Sequence, residues 1–338
     1  MISIIIVGYN GRSYIDDCLS SINASSYKHL RIIFVDNASV DYSATHIKRK
    51  FPKVILLESR RNLGFAGGNN LGIKKAIDLG TDYVFLLNQD TIIDKECLNS
   101  LIKKADQNTI LQPLILLYEN GKQTKLINTT GNYLNFLGIG FCRDYRKNMD
   151  DAIEEEIPTA SGAAVLIPLK ALKEVGTFDE LFFMYYEDVD LFWRMRLHGY
   201  SIKLIPEAKV WHKYSFGSNK NKLYFAERNR LLFMLKNFSS KYLLVISPAF
   251  VVNELCTIAY AAISGWGIKK IMSYYSIISI RREIFDYRKI NSEIISETAP
   301  SLKKYIGPDV TFSEVNSIFL RPYARLVKTY YQIIYDLL

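Results

Sequence analysis

Short apolar runs alternate with amphipathic segments of helical length along the first ninety residues. Residues 2–8 are a β-branched run too short for a helix, as expected of a strand buried on both faces. In residues 13–24, Ile15, Leu19 and Ile22 fall on one helical face. The next predicted elements are strands at 31–35, 54–57 and 83–87 and helices at 44–49 and 71–79. Strands and helices at this spacing predict an α/β fold with a doubly wound, mostly parallel sheet.

The pattern is less regular after residue 110. Residues 110–160 indicate short strands and an acidic loop. The elements predicted beyond them are strands at 162–168, 202–205 and 209–211 and a helix at 187–197. The pattern of short strands and helices ends near residue 240, where a long apolar stretch begins. We therefore expect one domain over 1–238 and a helical C-terminal extension over 239–338.

The extension contains a long apolar stretch at 242–266. Its length suits a membrane span, but Pro248 and the pair Asn253–Glu254 are costly in hydrocarbon. An interfacial or hairpin-like membrane contact through residues 240–290 is therefore favoured over a full crossing, and a packed soluble helix pair is the alternative. Basic and tyrosine side chains that suit an anionic lipid surface follow the stretch, namely Lys269, Lys270, Tyr274, Tyr275, Arg281 and Arg282.

Composition narrows the class of protein. The 338 residues are 49% hydrophobic and 13% aromatic, which excludes a disordered chain. The net charge is +9, and residues 191–240 are strongly basic, so phosphates, anionic lipid or nucleic acid are candidate partners. The four cysteines are far apart and lack the Cys-x-x-Cys spacing of zinc sites, which argues against a zinc site or a disulfide framework. Met1 leads into the first strand without the features of a signal peptide, and we expect a cytoplasmic location.

Polar side chains recur where predicted strands end. They are Tyr9 and Asn10, Asp36, Arg61 and Asn62, and Asn88 to Asp90. Open α/β sheets bind ligands beyond the carboxyl ends of their strands, so this placement predicts a binding site. The first turn lacks the Gly-x-Gly-x-x-Gly of dinucleotide folds, which makes a dehydrogenase improbable.

Four acidic or basic positions carry candidate chemistry. Asp36 suits the imide N–H of uracil or thymine, and Asp90 suits a divalent cation on a diphosphate. A carboxylate of Glu187 to Asp190 suits a general base, and His212 suits a metal or phosphate contact. Each also has a structural interpretation as a turn residue, a helix cap or a lone structural histidine.

Taken in order, these segments resemble the rhamnosyltransferase-like members of glycosyltransferase family 2, over residues 1 to about 235. Each segment alone is weak evidence for the family, whereas the whole set in this order is specific for it. The matching pieces are IIIVGYN (4–10), IIFVDNASVD (32–41), RNLGFAGGNNLGI (61–73), FLLNQDT (85–91), SGA (161–163) and GTFDELFFMYYEDVDLFWR (176–194).

The resemblance implies a GT-A, Rossmann-like fold that binds a nucleoside-diphosphate sugar. It implies Asp188, with Glu187 beside it, as the catalytic base. Asp90 with His212 would hold Mg²⁺ or Mn²⁺, although Asn88 stands where many relatives have a second aspartate. The donor-binding residues that it implies are Tyr9, Asn10, Asp36, Arg61, Asn62, Gly67, Gly68, Asn69, Asn70, Asn88, Gln89 and Gly162.

The implied function is inverting transfer from a UDP- or dTDP-sugar to a glycan or polyprenyl-linked acceptor in surface polysaccharide or glycoconjugate synthesis. Work at the cytoplasmic face of a membrane is expected, without nucleic acid. The enzyme alternative is a sugar nucleotidyltransferase, whose glycine-rich phosphate loop is missing here. The basic 191–240 segment leaves a nucleic-acid-binding module as the non-enzyme alternative. A degenerate transferase that binds donor without turnover is the third.

Overall fold

The computed structural model describes residues 1–214, 220–310 and 320–338. It divides into two compact units, Met1–Asn132 with Cys142–Ser215, and Tyr133–Phe141 with Phe216–Leu338. The predicted boundary at residue 238 stays a prediction. Two short strands, β8 Asn132–Asn135 and β9 Gly140–Cys142, lie mostly in the second unit. The strands of the first unit are β1 Ile2–Gly8, β2 Leu30–Asp36, β3 Ile55–Glu58, β4 Tyr83–Asn88, β5 Thr91–Ile93, β6 Thr109–Glu119, β7 Lys122–Thr129, β10 Glu155–Glu156, β11 Ala164–Pro168 and β12 Ser201–His212. Its helices are α1 Arg12–Asn23, α2 Ser43–Lys50, α3 Gly64–Asp78, α4 Cys97–Lys104, α5 Leu169–Val175 and α6 Glu187–Leu197.

The sheet of the first unit runs in the order β10-β12-β6-β11-β4-β1-β2-β3, with β5 beside β12 and β7 beside β6. Strands β1 to β4 pair in parallel, as do β6 and β12. Strand β11 runs antiparallel between β4 and β6. The predicted α/β fold with a mostly parallel sheet is therefore confirmed.

Alternate residues of the central strands supply two apolar cores, as the period of two in a strand requires. Ile5 belongs to one buried cluster with residues of α3, α5 and α6. Ile4 and Ile6 belong to the other, with residues of α1, α2 and α4. All three side chains are fully buried, so helices cover both faces of the sheet, which explains why β1 shows no polar alternation.

Helix α3 begins seven residues before the predicted start at 71. The Gly- and Asn-rich residues 64–70 have poor helix propensity, and tertiary packing overrides it. A Cβ on Gly68 would lie 2.6 Å from Val7, and one on Gly72 would lie 2.4 Å from Ile5. These glycines let the helix backbone approach β1 closely. The predicted strands 202–205 and 209–211 are likewise one strand, β12, with an irregularity between Ile205 and Lys209.

The described part of the second unit is mostly helical. Its elements are α7 Lys220–Asn237, α8 Ser240–Ile263, α9 Gly267–Ser279, α10 Arg281–Ile290, α11 Ser292–Thr298, β13 Ile306–Gly307 and α12 Leu320–Ile334. Helix α9 packs on both α7 and α8, and α10 packs on α7. Strand β13 pairs with β8, and β8 with β9. Helix α8 is continuous through Pro248, and in the described residues it alone is long and apolar enough to cross a membrane.

Candidate active site

Three strand ends place the polar residues at one edge of the sheet. Gly8 at the end of β1 pairs with Asp36 at the end of β2. On its other side β1 pairs with β4, with Val7 opposite Asn88. The Ala163 carbonyl accepts a hydrogen bond from the Asn88 N–H at 2.9 Å, which brings the segment before β11 to the same edge. The predicted site residues on β1, β2 and β4 are thus neighbours, as expected from a parallel sheet.

Asp36 has one carboxylate oxygen left for a ligand. The residue is 5% exposed, and its Oδ2 accepts from the Ser39 N–H at 3.2 Å. Its Oδ1 is buried and has no hydrogen-bond partner within the part of the chain that the structure describes. Since buried polar atoms are normally paired, this oxygen indicates a missing donor such as an imide N–H.

The turn after β1 lies beside Asp36 and carries Tyr9 and Asn10. Tyr9 is about half exposed, and Asn10 has a positive φ of 50°. Asn10 is tied to the next loop, because its Oδ1 accepts from the Val40 N–H at 2.9 Å and its own N–H donates to Ser39 Oγ at 3.0 Å. The tyrosine ring is therefore presented to solvent from a fixed backbone.

The start of α3 is held by two asparagines. Asn37 donates to Asn62 Oδ1 at 3.1 Å and to the Gly64 carbonyl at 2.9 Å. Asn62 Oδ1 also accepts from the Gly64 N–H at 2.8 Å. Gly64 has a φ of +71°, which favours glycine. Asn62 therefore has a structural role, whereas the neighbouring Arg61 is exposed.

The four predicted donor residues Gly67 to Asn70 lie in the first turns of α3. Gly67 and Gly68 are buried, and Asn69 donates to the Phe65 carbonyl at 2.9 Å. Asn70 donates to the Phe178 carbonyl at 2.9 Å, and its Oδ1 accepts from the Phe178 N–H at 3.0 Å. Their contacts hold the helix in place, and their contact with a donor stays a prediction.

Gln89 lies over the turn that follows β1. Its Nε2 is 3.4 Å from the Tyr9 carbonyl, and its Oε1 is buried with no partner in residues 1–214, 220–310 or 320–338. A Cβ on Gly11 would lie 1.8 Å from that Oε1, so a larger residue at position 11 would displace the Gln89 side chain. Gln89 therefore offers a second unpaired oxygen at this edge.

Asp90 and His212 come together as predicted. His212 Nε2 lies 3.2 Å from Asp90 Oδ1, and its Nδ1 lies 2.9 Å from Asn128 Oδ1. With that amide oxygen as acceptor, Nδ1 carries a proton, so in the neutral imidazole Nε2 has the lone pair and faces Asp90. A lone pair and a carboxylate at this distance call for a proton or a cation between them, so this pair fits a divalent ion.

The protein supplies few ligands for such an ion. Within the part of the chain that the structure describes, no three His, Cys, Asp or Glu side chains converge on one point. A divalent ion at Asp90 and His212 would therefore take its remaining ligands from phosphate and water, as Mg²⁺ commonly does. Asn88 contributes no charge, and its carbonyl accepts from Thr91 Oγ1 at 2.7 Å.

Asp188 lies at the start of α6 and is held by uncharged donors. Its Oδ2 accepts from the Gly162 N–H at 2.9 Å and from Asn132 Nδ2 at 3.3 Å. Its Oδ1 accepts from the Val189 N–H at 2.8 Å. Burial raises the pKa of Asp188 above its usual range, and these hydrogen bonds offset the rise only in part. A carboxylate of raised pKa is the better proton acceptor.

Glu187 precedes Asp188 and is 6% exposed. Its Oε2 is buried without a partner among the described residues. Burial, and secondly the charge of Asp188, raise the pKa of Glu187 well above its ordinary value. Burial and the neighbouring charge therefore disfavour the charged form of Glu187, whereas three hydrogen bonds to the Asp188 carboxylate favour its charged form.

The loop before α6 has a strained backbone. Phe183, Tyr185 and Tyr186 all have φ between 62° and 68°, a region that costs energy for bulky residues. The Phe183 carbonyl accepts from the Ala66 N–H at 3.1 Å, so α3 helps to hold this loop. Strain of this kind persists where surrounding contacts fix it, and here it sets the start of the helix that carries Asp188.

Two polar residues of the site were missed by the sequence analysis. Asn132 contacts Asp188, and Asn128 contacts His212. Both lie around the end of β7, more than fifty residues from their partners in the chain. Nothing local distinguishes them from other asparagines, because only the sheet brings them to the site.

Comparison with known proteins agrees with this architecture. The model of the family described as "Glycosyl transferase family 2" matches residues 3–176. An N-acetylglucosaminyl-diphospho-decaprenol L-rhamnosyltransferase of Mycobacterium tuberculosis is 26% identical over 242 residues, which is 65% of this chain and 78% of the relative. A low-salt glycan biosynthesis hexosyltransferase of Haloferax volcanii is 24% identical over 293 residues, or 84% of this chain and 89% of the relative.

Solved structures share the fold at low sequence identity. A structure of GalNAc-T7 with UDP, GalNAc and Mn²⁺ aligns with a TM-score of 0.59 and 15% identity, over 85% of this chain and 57% of that one. A mannosyltransferase of Pyrobaculum calidifontis, in complex with GDP-Man and Mn²⁺, aligns with a TM-score of 0.52 and 14% identity, over 90% and 87%. The family match covers more than half of the chain, and it selects glycosyl transfer from the candidates that the sequence left open. With its mostly parallel α/β sheet and Asp188 at the strand-end edge, this chain belongs to glycosyl transferase family 2 and is a glycosyltransferase.

Proposed function

We propose that this enzyme transfers a sugar from a UDP- or dTDP-sugar to a hydroxyl of a glycan or polyprenyl-linked acceptor, with inversion at the anomeric carbon. The observation that carries the proposal is the environment of Asp188. Its carboxylate is held by Gly162 and Asn132, both uncharged, and its pKa is raised by burial. This environment suits a base that takes a proton from an acceptor hydroxyl.

Asp36 is the residue proposed to bind the base of the nucleotide. Its unpaired, buried Oδ1 suits the imide N–H of uracil or thymine, which both nucleotides share. Tyr9 and Arg61 lie exposed at the ends of β1 and β3, where a ring and a guanidinium suit the nucleotide and its phosphates. Asn10, Asn62, Gly67 to Asn70, Asn88 and Gln89 are proposed to line the donor site.

Asp90 and His212 are proposed to hold Mg²⁺ or Mn²⁺ against the donor diphosphate. Their facing acceptor atoms, 3.2 Å apart, support this assignment, and Asn128 orients the histidine from behind. When bound, such an ion neutralises the charge that develops on the departing nucleoside diphosphate. The Mn²⁺ named with two of the similar structures supports a divalent ion in general.

The proposed transfer is a single displacement by the acceptor oxygen and needs no protein nucleophile. The acceptor oxygen forms a bond to the anomeric carbon while the bond from that carbon to the diphosphate breaks. The electron pair of the broken bond leaves with the nucleoside diphosphate, and the acceptor proton passes to Asp188. Attack from the face opposite the leaving group inverts the anomeric configuration, as in inverting hydrolysis.

The acceptor class rests on the relatives. The M. tuberculosis relative is named for an N-acetylglucosaminyl-diphospho-decaprenol substrate, and the H. volcanii relative for glycan biosynthesis. We infer that this enzyme takes an acceptor of the same kind, a growing glycan or a sugar on a polyprenyl diphosphate, at the cytoplasmic face of a membrane.

Calorimetry or saturation-transfer NMR with UDP-, dTDP- and GDP-sugars, with and without Mn²⁺, tests the donor site. We expect Mn²⁺ to strengthen binding of a UDP- or dTDP-sugar. Asp90→Ala should abolish that strengthening, Asp188→Ala should keep it, and Asp151→Ala, at an exposed position, is the control. Failure of every sugar nucleotide to bind in the presence of Mn²⁺ would contradict the proposed donor.

A further inference from the structure

The polarity of α8 is inverted compared with that of a helix on a soluble protein. Its side toward the second unit buries the polar pair Asn253 and Glu254. Its outer side presents apolar residues, including Leu244, which is 74% exposed, Leu255, which is 63% exposed, and Ile263, which is 86% exposed. A surface helix in water normally shows the opposite arrangement. The outer side of α8 is therefore suited to an apolar surrounding.

The buried Glu254 is fixed by a network of charges inside the second unit. Lys270 Nζ lies 2.8 Å from Glu254 Oε2, and Arg230 binds the other oxygen. Glu227 contacts both cations, with its Oε2 3.1 Å from Arg230 Nη2. Tyr274 donates to Glu254 as well. Burial alone would raise the pKa of Glu254, but Arg230 and Lys270 outweigh it and lower that pKa to about 2.

This network links α8 to α7 and α9. Arg230 is 1% exposed and Lys270 is fully buried, so both depend on the carboxylates of Glu227 and Glu254 for compensation. Moving α8 away alone across a bilayer would separate Glu254 from Arg230 and Lys270 and leave its charge unpaired in hydrocarbon. Helix α8 can contact lipid with its outer side while it remains packed.

The apolar surface continues beyond α8. On α9, Ile268 is 80% exposed, and Ile271, Tyr275 and Ile278 are exposed as well. On α10, Phe285 is 67% exposed. Helices α8 and α9 pack on each other and both expose several large apolar side chains, which is more than scattered surface residues account for and is typical of an interaction surface.

Basic and aromatic side chains accompany this surface. Arg281 and Arg282 are exposed at the start of α10, and Lys269 is partly exposed near the start of α9. Between residues 242 and 279 no acidic side chain is exposed on α8 or α9, whereas α10 exposes Glu283 and Asp286 beside its basic residues. Cations beside an apolar face that carries Tyr260 and Tyr275 match the chemistry of a leaflet rich in anionic headgroups.

We propose that the outer sides of α8 and α9 insert into the headgroup and upper acyl region of an anionic membrane, with α8 lying in the membrane plane and not crossing it. The paired charges at Glu254 keep the helix packed, and Arg281 and Arg282 contact anionic headgroups. The proposal is independent of the donor and the base, since none of its residues belongs to the first unit.

Vesicle flotation of the full-length protein tests the surface. We expect binding to phosphatidylcholine vesicles with about 30% phosphatidylglycerol, and weaker binding to pure phosphatidylcholine. Leu255→Asp should reduce the bound fraction at least several-fold. The matched control is Ile153→Asp, which changes a residue of the first unit that is 66% exposed against 63% for Leu255.

Cys256 provides a probe of depth. It is exposed on α8, whereas Cys18 and Cys97 are buried and Cys142 is partly so. An environment-sensitive fluorophore on Cys256, in a Cys142→Ser background, should shift to the blue with anionic vesicles. Quenching should be stronger by spin labels near the headgroups than by labels near the bilayer centre.

Three results would overturn the proposal. If the wild-type protein fails to float with anionic vesicles, a membrane is excluded as the partner of this surface. Stronger quenching from the bilayer centre would make α8 a span. A dimer in solution that Leu255→Asp dissociates, without vesicle binding, would assign the face to a second copy of this chain. Unchanged thermal unfolding of Leu255→Asp shows that the variant is folded.

Discussion

Two buried carboxylates of this enzyme have opposite surroundings. Asp188 in the first unit is held by uncharged donors, and its pKa is raised. Glu254 in the second unit is held between Arg230 and Lys270, and its pKa is lowered to about 2. The difference teaches that a buried carboxylate without a counter-charge is poised to accept a proton, whereas one between two cations is fixed in its charged form.

The largest expected effect is on catalysis. Asp188→Asn keeps the size of the side chain and removes the proposed base, so we expect the rate of transfer to fall by about 100- to 10,000-fold. Initial rates with saturating donor and acceptor measure the loss. Donor affinity by calorimetry should stay within about twofold, since the first unit is otherwise unchanged. An equal loss in donor affinity would make Asp188 a binding residue and weaken the contrast with Glu254.

The next effect is on stability. Glu254→Gln leaves Arg230 and Lys270 with too little compensating charge, and breaking a buried ion pair costs about 3–5 kcal/mol. Chemical denaturation measures the free energy of unfolding. The matched control is Glu283→Gln, because Glu283 is exposed on α10 and should change stability by less than about 0.5 kcal/mol. Equal stability of both variants would show that the charge network contributes little.

A smaller effect is expected at the proposed metal site of Asp90 and His212. Asn128→Ala removes the acceptor that fixes the His212 ring, and loss of such a partner costs about 10- to 100-fold in metal affinity. Calorimetric titration with Mn²⁺ in the presence of UDP measures it. Asn128→Asp keeps an acceptor at the same place and should retain affinity. If both variants bind Mn²⁺ like wild type, Asn128 does not position His212.

The smallest effects concern pH, and their signs differ between the two carboxylates. The raised pKa of Asp188 predicts that the transfer rate falls, as the pH decreases, at a higher pH than an ordinary aspartate would give. Glu254 stabilises the fold above its unfolded-state pKa, and this contribution is lost as the pH falls from about 4.5 towards 2. A pH–rate profile and acid unfolding measure the two. Glu254→Gln should remove its part of the acid slope and leave the rate profile unchanged.

Most of the fold could be predicted from the sequence because each secondary-structure pattern depends on residues that are close together in the chain. The apolar run of residues 2–8 became β1, and the segment 187–197 became α6 with the predicted bounds. Helix α3 was placed too late because its glycines look unfavourable for a helix until β1 lies against them. Long-range packing alone shows that Gly68 and Gly72 are needed for close approach.

The residues of the candidate site were likewise only partly predictable from the sequence. The candidate residues Asp36, Asp90, Asp188 and His212 could be named from the sequence because each lies at or just after the end of a strand or begins a helix. Asn132 and Asn128 were not, because their roles depend on the position of β7 beside the site. The roles assigned to the site residues stay proposals for the experiments above.

The sequence alone determined the alternation of strands and helices, the polar strand ends and the apolar stretch at 242–266, because each depends on residues that are close in the chain. Tertiary structure decided which groups face each other. It placed Asp90 against His212, surrounded Asp188 with uncharged donors, and turned Glu254 inward to two cations. Charges and hydrogen bonds depend on distances of a few ångströms between residues far apart in sequence, and folding alone sets those distances.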